Sequence, residues 1–352
     1  MPKELILLDV QRVGFREYEE PAIVGNMVRT KSILSGISHG TEMAYYRGTS
    51  PFLCKNFNPD KRVFLKGAQV SFPVTLGYEN VGLVVETGPD VAKLKKGDLV
   101  WLPRSHRETH VTPEDATPQE TLGPTDPILL LPSGVKPEQG IFTALATVAL
   151  TAIHDASIKI GDSISIFGMG AIGLIAIQLA KLDGATKVFA VDPLEKRLQM
   201  AESLGADTTL NPLRCDVSSE IRTSCEKGTD VAIECSGSYS ALHEAIRSVH
   251  HSGNVITLSF YQGEGVGLRL GEEWHHNRIT MHSSMGGWGC PYKNYPLWNR
   301  KRAIHTVLEL LQQKKLVVEP LLSKKIPFQH AAEAYELIDK YPEKVIKVAL
   351  EY

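Results

Sequence analysis

Two textures of hydrophobic patterning divide the chain. Up to about residue 150 the apolar residues come in short runs, as at Glu4–Val10 and Val81–Glu86, with Pro73, Pro89 and Pro103 as punctuation. Such runs between turn residues predict short β-strands. The stretch Pro103–Pro132 is polar and rich in Thr and Pro, which predicts a surface excursion. From about Gly161 apolar strands and helices alternate. Ser163–Phe167, Lys187–Val191, Asp230–Cys235, Asn254–Leu258 and Ile279–Ser283 read as strands. Ile172–Leu182, Leu194–Leu204 and Ser240–His250 read as the helices between them, with Gly205-Ala206 as a stop signal. Continuous apolar strands alternating with helices imply a parallel sheet covered on both faces. Mixed structure then returns, with amphipathic helices at Arg300–Gln313 and near Gln329–Lys340. The expected fold class is α/β: a β-rich domain over 1–155, a doubly wound parallel-sheet domain over 156–290, and a return to the first domain over 291–352.

Composition narrows the partners. The 352 residues carry 38 Lys+Arg against 40 Asp+Glu, a formal charge of -2, with no dense basic run. Nothing there attracts nucleic acid or anionic lipid over the whole surface, so neither is expected as a partner. Residues Ser163–Ala180 are uncharged and reach the length of a membrane span, but three glycines interrupt them and Asp162 and Lys181 bound them. A strand, a tight turn and a buried helix fit better. The five cysteines (Cys54, Cys215, Cys225, Cys235, Cys290) are odd in number and form no CxxC pair. Together with an N-terminus that lacks a secretory pattern, this points to free thiols and a cytoplasmic location.

The sharpest motif is Gly168-Met169-Gly170-Ala171-Ile172-Gly173, after a strand and opening a helix. The first glycine permits the turn, the second lets the backbone approach a diphosphate, and the third allows close helix–strand packing. The diphosphate would sit on free N–H groups at the helix N-terminus. Asp192 ends the next strand, 19 residues after Gly173, where a carboxylate can accept hydrogen bonds from ribose hydroxyls. Asp192 would repel a 2′-phosphate, which favours NAD over NADP. Arg197 nearby complicates that choice, since a guanidinium can pair with such a phosphate.

The order of parts now resembles a known superfamily. Leu131-Pro132-Ser133-Gly134-Val135, the helix Thr143–Ala156, Ile160-Gly161-Asp162, the glycine turn, Arg197-Leu198 and Leu204-Gly205-Ala206-Asp207 together look like the medium-chain dehydrogenases/reductases, over essentially the whole chain. The resemblance implies a GroES-like substrate domain, a Rossmann domain, an active site in the cleft between them, and homodimers or homotetramers. It also places Thr151 beside the nicotinamide ring. A helix threonine bonding back onto its own backbone is the plain alternative. Glu234-Cys235-Ser236-Gly237 would end a strand near the cofactor, with Ser236 among the binding residues and Cys235 as packing rather than as a nucleophile.

Many members of that superfamily hold a catalytic zinc, and here the resemblance breaks at each ligand position. The first-ligand segment reads Ser35-Gly36-Ile37-Ser38-His39-Gly40-Thr41-Glu42, the next reads Gly77-Tyr78-Glu79-Asn80, and the third position is Thr147. Neutral hydroxyls do not replace thiolate and imidazole on zinc. The stretch 97–115, where a structural zinc lobe would lie, contains no cysteine. Shifting the alignment would bring in His39, with Glu42 and Glu79, as a His/Glu site; the reading adopted has no metal. The paired signatures resemble a zinc-lacking branch that includes the bacteriochlorophyllide hydroxyethyl dehydrogenases, and Trp274-His275-His276-Asn277-Arg278 resembles a segment of its longer members.

Without zinc, an alcohol oxidation needs side chains to remove the proton and donors to stabilise the oxygen. The candidates are Tyr78 and His39 for proton transfer, Glu79 and Glu42 as orienters, and Ser38 and Thr41 as relay hydroxyls. His39 titrates nearest neutrality, whereas a tyrosine needs a neighbouring cation to act as a base. The aromatic-rich run Met285–Trp298 suits either a substrate wall or a subunit interface. His275, His276, His282 and Arg278 invite a metal reading but lack acidic or thiolate company. The leading expectation is an NAD-dependent, zinc-independent dehydrogenase for a secondary alcohol of a polyol, sugar or cyclitol. An NADPH-dependent quinone or enoyl reductase, and a non-catalytic NAD-binding protein, are the alternatives.

Overall fold

Alternation decides the first sheet. Along the strand Met27–Gly36 the residues Val28, Thr30, Ser32 and Leu34 turn inward one after another, the period of a strand with one face buried. The computed structural model describes residues 1–115, 128–285 and 298–352 of the chain. This strand pairs antiparallel with Asn80–Thr87, with Ser35 opposite Asn80, and on its other side with Lys347–Glu351, with Ala349 opposite Gly36. That register is what brings the segment following Gly36 beside the segment preceding Asn80.

Part of the expected surface excursion is sheet. Thr109–Pro113 is a strand that pairs with Met27–Lys31 and turns His110 and Thr112 inward, so its polar composition hides a buried face. Residues 116–127 of that stretch lie outside the described residues. Around this sheet Leu5, Leu7, Ile37, Met43, Leu76, Phe328, Tyr335 and Val348 form one apolar core.

The chain separates into two compact units, Met1–Ala144 with Leu308–Tyr352, and Leu145–Val307. The second holds a six-stranded, all-parallel sheet. Its spatial order is Thr208–Leu210, Lys187–Val191, Ser163–Phe167, Thr229–Glu234, Val249–Thr257, Thr280–Ser283. Counted from Ser163–Phe167, that is the 3-2-1-4-5-6 order of a Rossmann domain, which reverses direction beside the first strand. Ile164, Ile166, Val188, Phe189 and Ala190 are fully buried, as strands covered on both faces must be.

Several elements differ from the pattern reading, among them the strand Thr208–Leu210 and the short helix Glu273–His276, which it did not name. The helix Tyr239–Ser248 ends before Val249, where the strand already begins, and the polar stretch Val217–Ser224 forms a helix capped by Asp216. Among the described residues no helix is long and apolar enough to cross a membrane.

Candidate functional site

The first unit gathers most of the chemistry singled out at its N-terminal end. Gly36-Ile37-Ser38 leaves the sheet and turns into the short helix Thr41–Tyr46, while Tyr78 and Glu79 lead into the neighbouring strand. The Tyr78 hydroxyl donates to Ser38 Oγ at 2.7 Å, and the Thr41 backbone N–H donates to the same oxygen at 3.3 Å. Thr41 also hydrogen-bonds Tyr78 through its side chain. A serine hydroxyl has two acceptor sites and one proton, so Ser38 is left with its own O–H to give. His39 is half-buried on the same turn.

Electrostatics bear on Tyr78, one of the two proton-transfer candidates. Burial is the largest influence and raises its pKa, and the nearby carboxylates of Glu79 and Glu42 raise it further against hydrogen bonds from Ser38 and Thr41. No cation is among the largest influences on it. Tyr78 stays protonated through the physiological range and serves as a donor.

The two glutamates are committed inside the fold. Glu42 is fully buried and accepts from the Ser38 N–H at 2.8 Å, from the Tyr335 hydroxyl at 2.5 Å, and from His106 Nε2 at 2.9 Å. Burial alone would raise its pKa. The His106 ring and these hydrogen bonds outweigh that and hold it below the usual range. Glu79, also fully buried, forms an ion pair with Lys347, whose ammonium donates to the Ile37 carbonyl at 2.8 Å as well. Burial pushes the Glu79 carboxyl up to about 7, with Lys347 pulling the other way. Gly36 is required here, because a Cβ would stand 2.6 Å from Glu79 Oε2.

His106, Lys347 and Tyr335 escaped the sequence reading. They lie 64, 268 and 293 residues from the side chains they touch, and no local pattern marks such pairs. The one available signal was a lysine, Lys347, directly before the apolar run Val348-Ala349-Leu350 of the C-terminal strand.

In the second unit the glycine turn takes the form that its spacing predicts. Gly168 has φ +91° and a Cβ would stand 2.7 Å from Ser236, while a Cβ on Gly173 would stand 2.0 Å from the Gly168 carbonyl oxygen. Gly170 differs: a Cβ there would meet nothing within 4 Å, which leaves room for a diphosphate over the turn. Ala171 and Ile172 open the helix Ala171–Asp183, whose first turn has no side-chain cap. The buried Asp192 accepts from the Met169 N–H and the Leu194 N–H, each at 2.8 Å, and Arg197 stands 3.8 Å away. Ser236 is held by the buried Glu234, which accepts its N–H at 2.7 Å, that of Gly237 at 3.1 Å, and the hydroxyls of Ser236 and Tyr261. Burial and then Glu234 keep the Cys235 thiol well above its usual pKa, so it is no nucleophile. These residues fit a dinucleotide.

Thr151 donates to the Thr147 carbonyl at 2.9 Å, the back-bond of an ordinary helix threonine. Of the aromatic run, Trp298 packs edge-on against His154 at 4.3 Å with Arg302 over its face. Trp288, Tyr292 and Tyr295 lie outside the described residues. His282 stands 3.8 Å from Asp155 and His275 packs edge-on against His276, so these histidines share no centre. Among the described residues the one convergent group of possible metal ligands is His243, Glu272 and Glu273, and His39, Glu42 and Glu79 do not form one.

The zinc-binding dehydrogenase family matches residues 171–299, and the alcohol dehydrogenase GroES-like domain matches residues 54–157. A D-guloside 3-dehydrogenase of Escherichia coli (strain K12) is 33% identical, covering 99% of this chain and all of that protein. The chain belongs to the medium-chain dehydrogenase/reductase superfamily. It is an NAD(P)-dependent alcohol dehydrogenase with a GroES-like and a Rossmann-like domain. An (R,R)-butanediol dehydrogenase of Bacillus subtilis (strain 168) is 30% identical over 89% of each chain. The crystal structure of 2R,3R-butanediol dehydrogenase from Bacillus subtilis shares the fold, with a TM-score of 0.79 at 24% identity over the full length of both chains.

Membership in this dehydrogenase family raises the question of zinc, and the donors present in the first unit do not fit one. Tyr78 and Ser38 bond to each other as neutral hydroxyls, and Glu42 accepts from three protein donors. The carboxylate of Glu79 already faces an ammonium, which a dication would have to displace.

Proposed function

We propose that this dehydrogenase oxidises a secondary hydroxyl of a sugar, polyol or cyclitol, using NAD and no catalytic zinc. The observation that carries the reading is the 2.7 Å hydrogen bond from Tyr78 to Ser38, at the positions where the family resemblance calls for metal ligands. Full-length similarity to an enzyme named D-guloside 3-dehydrogenase supports a sugar-derived alcohol.

When bound, NAD would take up the hydride. The turn Gly168–Gly173 would seat its diphosphate, and Asp192 keeps a spare lone pair on each oxygen for the ribose hydroxyls. A 2′-phosphate would meet the Asp192 charge, which favours NAD. At the alcohol, Ser38 can give its O–H to the substrate oxygen. The protonated Tyr78 reinforces Ser38 as a donor, and both hold negative charge as it develops. The proton leaves to His39, a partly buried imidazole on the same turn as Ser38. Thr41 holds the turn by its backbone and its hydroxyl. Glu79, expected among the catalytic residues, acts from behind the turn through Lys347.

The test is metal analysis of active enzyme together with Tyr78→Phe and Ser38→Ala. Activity on NAD with sugars and polyols is expected without stoichiometric zinc. Each variant should lose about 10²-fold in kcat, the cost of an oxyanion donor, while NAD affinity is unchanged. Zinc at one equivalent per chain that tracks activity would refute the reading.

A further inference from the structure

His106 is completely buried and touches residues that support each half of the hydroxyl pair, Glu42 behind Ser38 and Gly77 beside Tyr78. On one side its Nε2 stands 2.9 Å from Glu42 Oε2. The other oxygen of Glu42 accepts the Ser38 N–H at 2.8 Å, which fixes the turn that carries Ser38 Oγ. On the other side the His106 backbone N–H donates to the Leu76 carbonyl at 2.8 Å, two residues before Tyr78. Its ring lies so close to Gly77 that a Cβ there would stand 2.8 Å from Cδ2, and Gly77 accordingly adopts φ +101°. Behind the ring, Nδ1 meets Ser35 Oγ at 2.7 Å, and that hydroxyl meets the Tyr352 hydroxyl at 2.9 Å. The ring is therefore held at both nitrogens and cannot rotate without breaking a buried hydrogen bond.

We propose that His106 is a positioning residue for the reaction: through Glu42 and Gly77 it sets Ser38 and Tyr78 at bonding distance. It does within the substrate unit what a shared metal ion would otherwise do for two ligand-bearing segments. The proposal rests on the reading that Tyr78 and Ser38 handle the substrate oxygen. Sheet pairing and Lys347 hold the bases of the two segments together; the hydroxyls lie beyond them, and a displacement of about 1 Å in a catalytic group costs about 10²-fold in rate. Because Glu42 stays anionic, Nε2 must donate to it, and an amide can replace that donor while its oxygen accepts from Ser35.

The experiment compares His106→Leu, His106→Gln, Tyr78→Phe and the His106→Leu/Tyr78→Phe pair. NAD affinity and turnover are measured on the intact enzyme. His106→Leu should lower kcat about 10²-fold with NAD affinity unchanged, and His106→Gln should restore most of it. The pair should lose less than the two single losses taken together, because His106 acts only through the hydroxyl pair. Full turnover in His106→Leu, or losses that add in the pair, would overturn the proposal while leaving the function intact. Full turnover in Tyr78→Phe would overturn both. If His106→Leu does not fold, Ser35→Ala keeps the ring and removes its Nδ1 partner together with the Tyr352 contact: a lower kcat at unchanged NAD affinity supports the positioning role, and an unchanged kcat refutes it.

Discussion

Replacing Lys347 by Met should destabilise the protein by an amount that grows with pH. The ammonium has two partners, the Glu79 carboxylate and the Ile37 carbonyl, all out of water. Losing the bond to Ile37 leaves a buried carbonyl unsatisfied, which costs about 1 kcal/mol at any pH. The Glu79 contribution depends on protonation. Its folded pKa, about 7, already lies above that of an unfolded glutamate because burial outweighs Lys347. The folded state therefore binds this proton more tightly, and stability falls as pH rises from the unfolded pKa through the folded one. Without Lys347 the folded pKa moves higher still, at about 1.4 kcal/mol for each unit. Below pH 6 both proteins hold Glu79 protonated and differ by the Ile37 term alone. Near pH 8.5 the wild type carries a paired carboxylate while the variant must keep its proton, and the gap should widen to about 3 kcal/mol, within the range for breaking a buried pair. Urea unfolding at pH 6 and 8.5 measures this directly. In the Glu79→Gln background the Lys347→Met substitution should cost the same at both pH values, because the group that titrates is gone. A single-variant gap that is flat or narrows with pH would refute the electrostatic reasoning.

Two glycines of the same turn should fail in different ways. Gly173→Ala drives a Cβ to 2.0 Å from a backbone oxygen and should lower the melting temperature sharply, whereas Gly170→Ala meets nothing within 4 Å and should melt as the wild type does. The second should still weaken NAD binding, by about tenfold for a loss of about 1.4 kcal/mol, as seen by cofactor fluorescence titration. Asp192→Asn keeps an acceptor but loses the charge that opposes a 2′-phosphate. It should lower the ratio of NAD to NADP affinity, and an unchanged ratio would remove Asp192 from cofactor choice.

The glycine turn and its carboxylate were legible from sequence because each requirement is local. Gly168, Gly170 and Gly173 fall within one strand–turn–helix, and Asp192 ends the following strand. The unusual first-ligand segment was legible too, since Ser38 and Tyr78 are conspicuous as hydroxyls at positions where the family resemblance calls for thiolate and imidazole. Their role was not. Whether Tyr78 gives or takes a proton depends on which charges surround it: Glu79 is its chain neighbour, but Glu42 arrives only because the two strands pair.

By itself the amino-acid order determined the alternation of strands and helices, the nucleotide turn and the hydroxyls that stand where the family resemblance calls for zinc ligands, because periodicity, backbone freedom and side-chain chemistry act over a few residues. Tertiary structure alone decided which groups meet. It brought His106 to Glu42 and Lys347 to Glu79 across 64 and 268 residues. In a buried site the distance between charges governs protonation, and distance is a property of the folded chain.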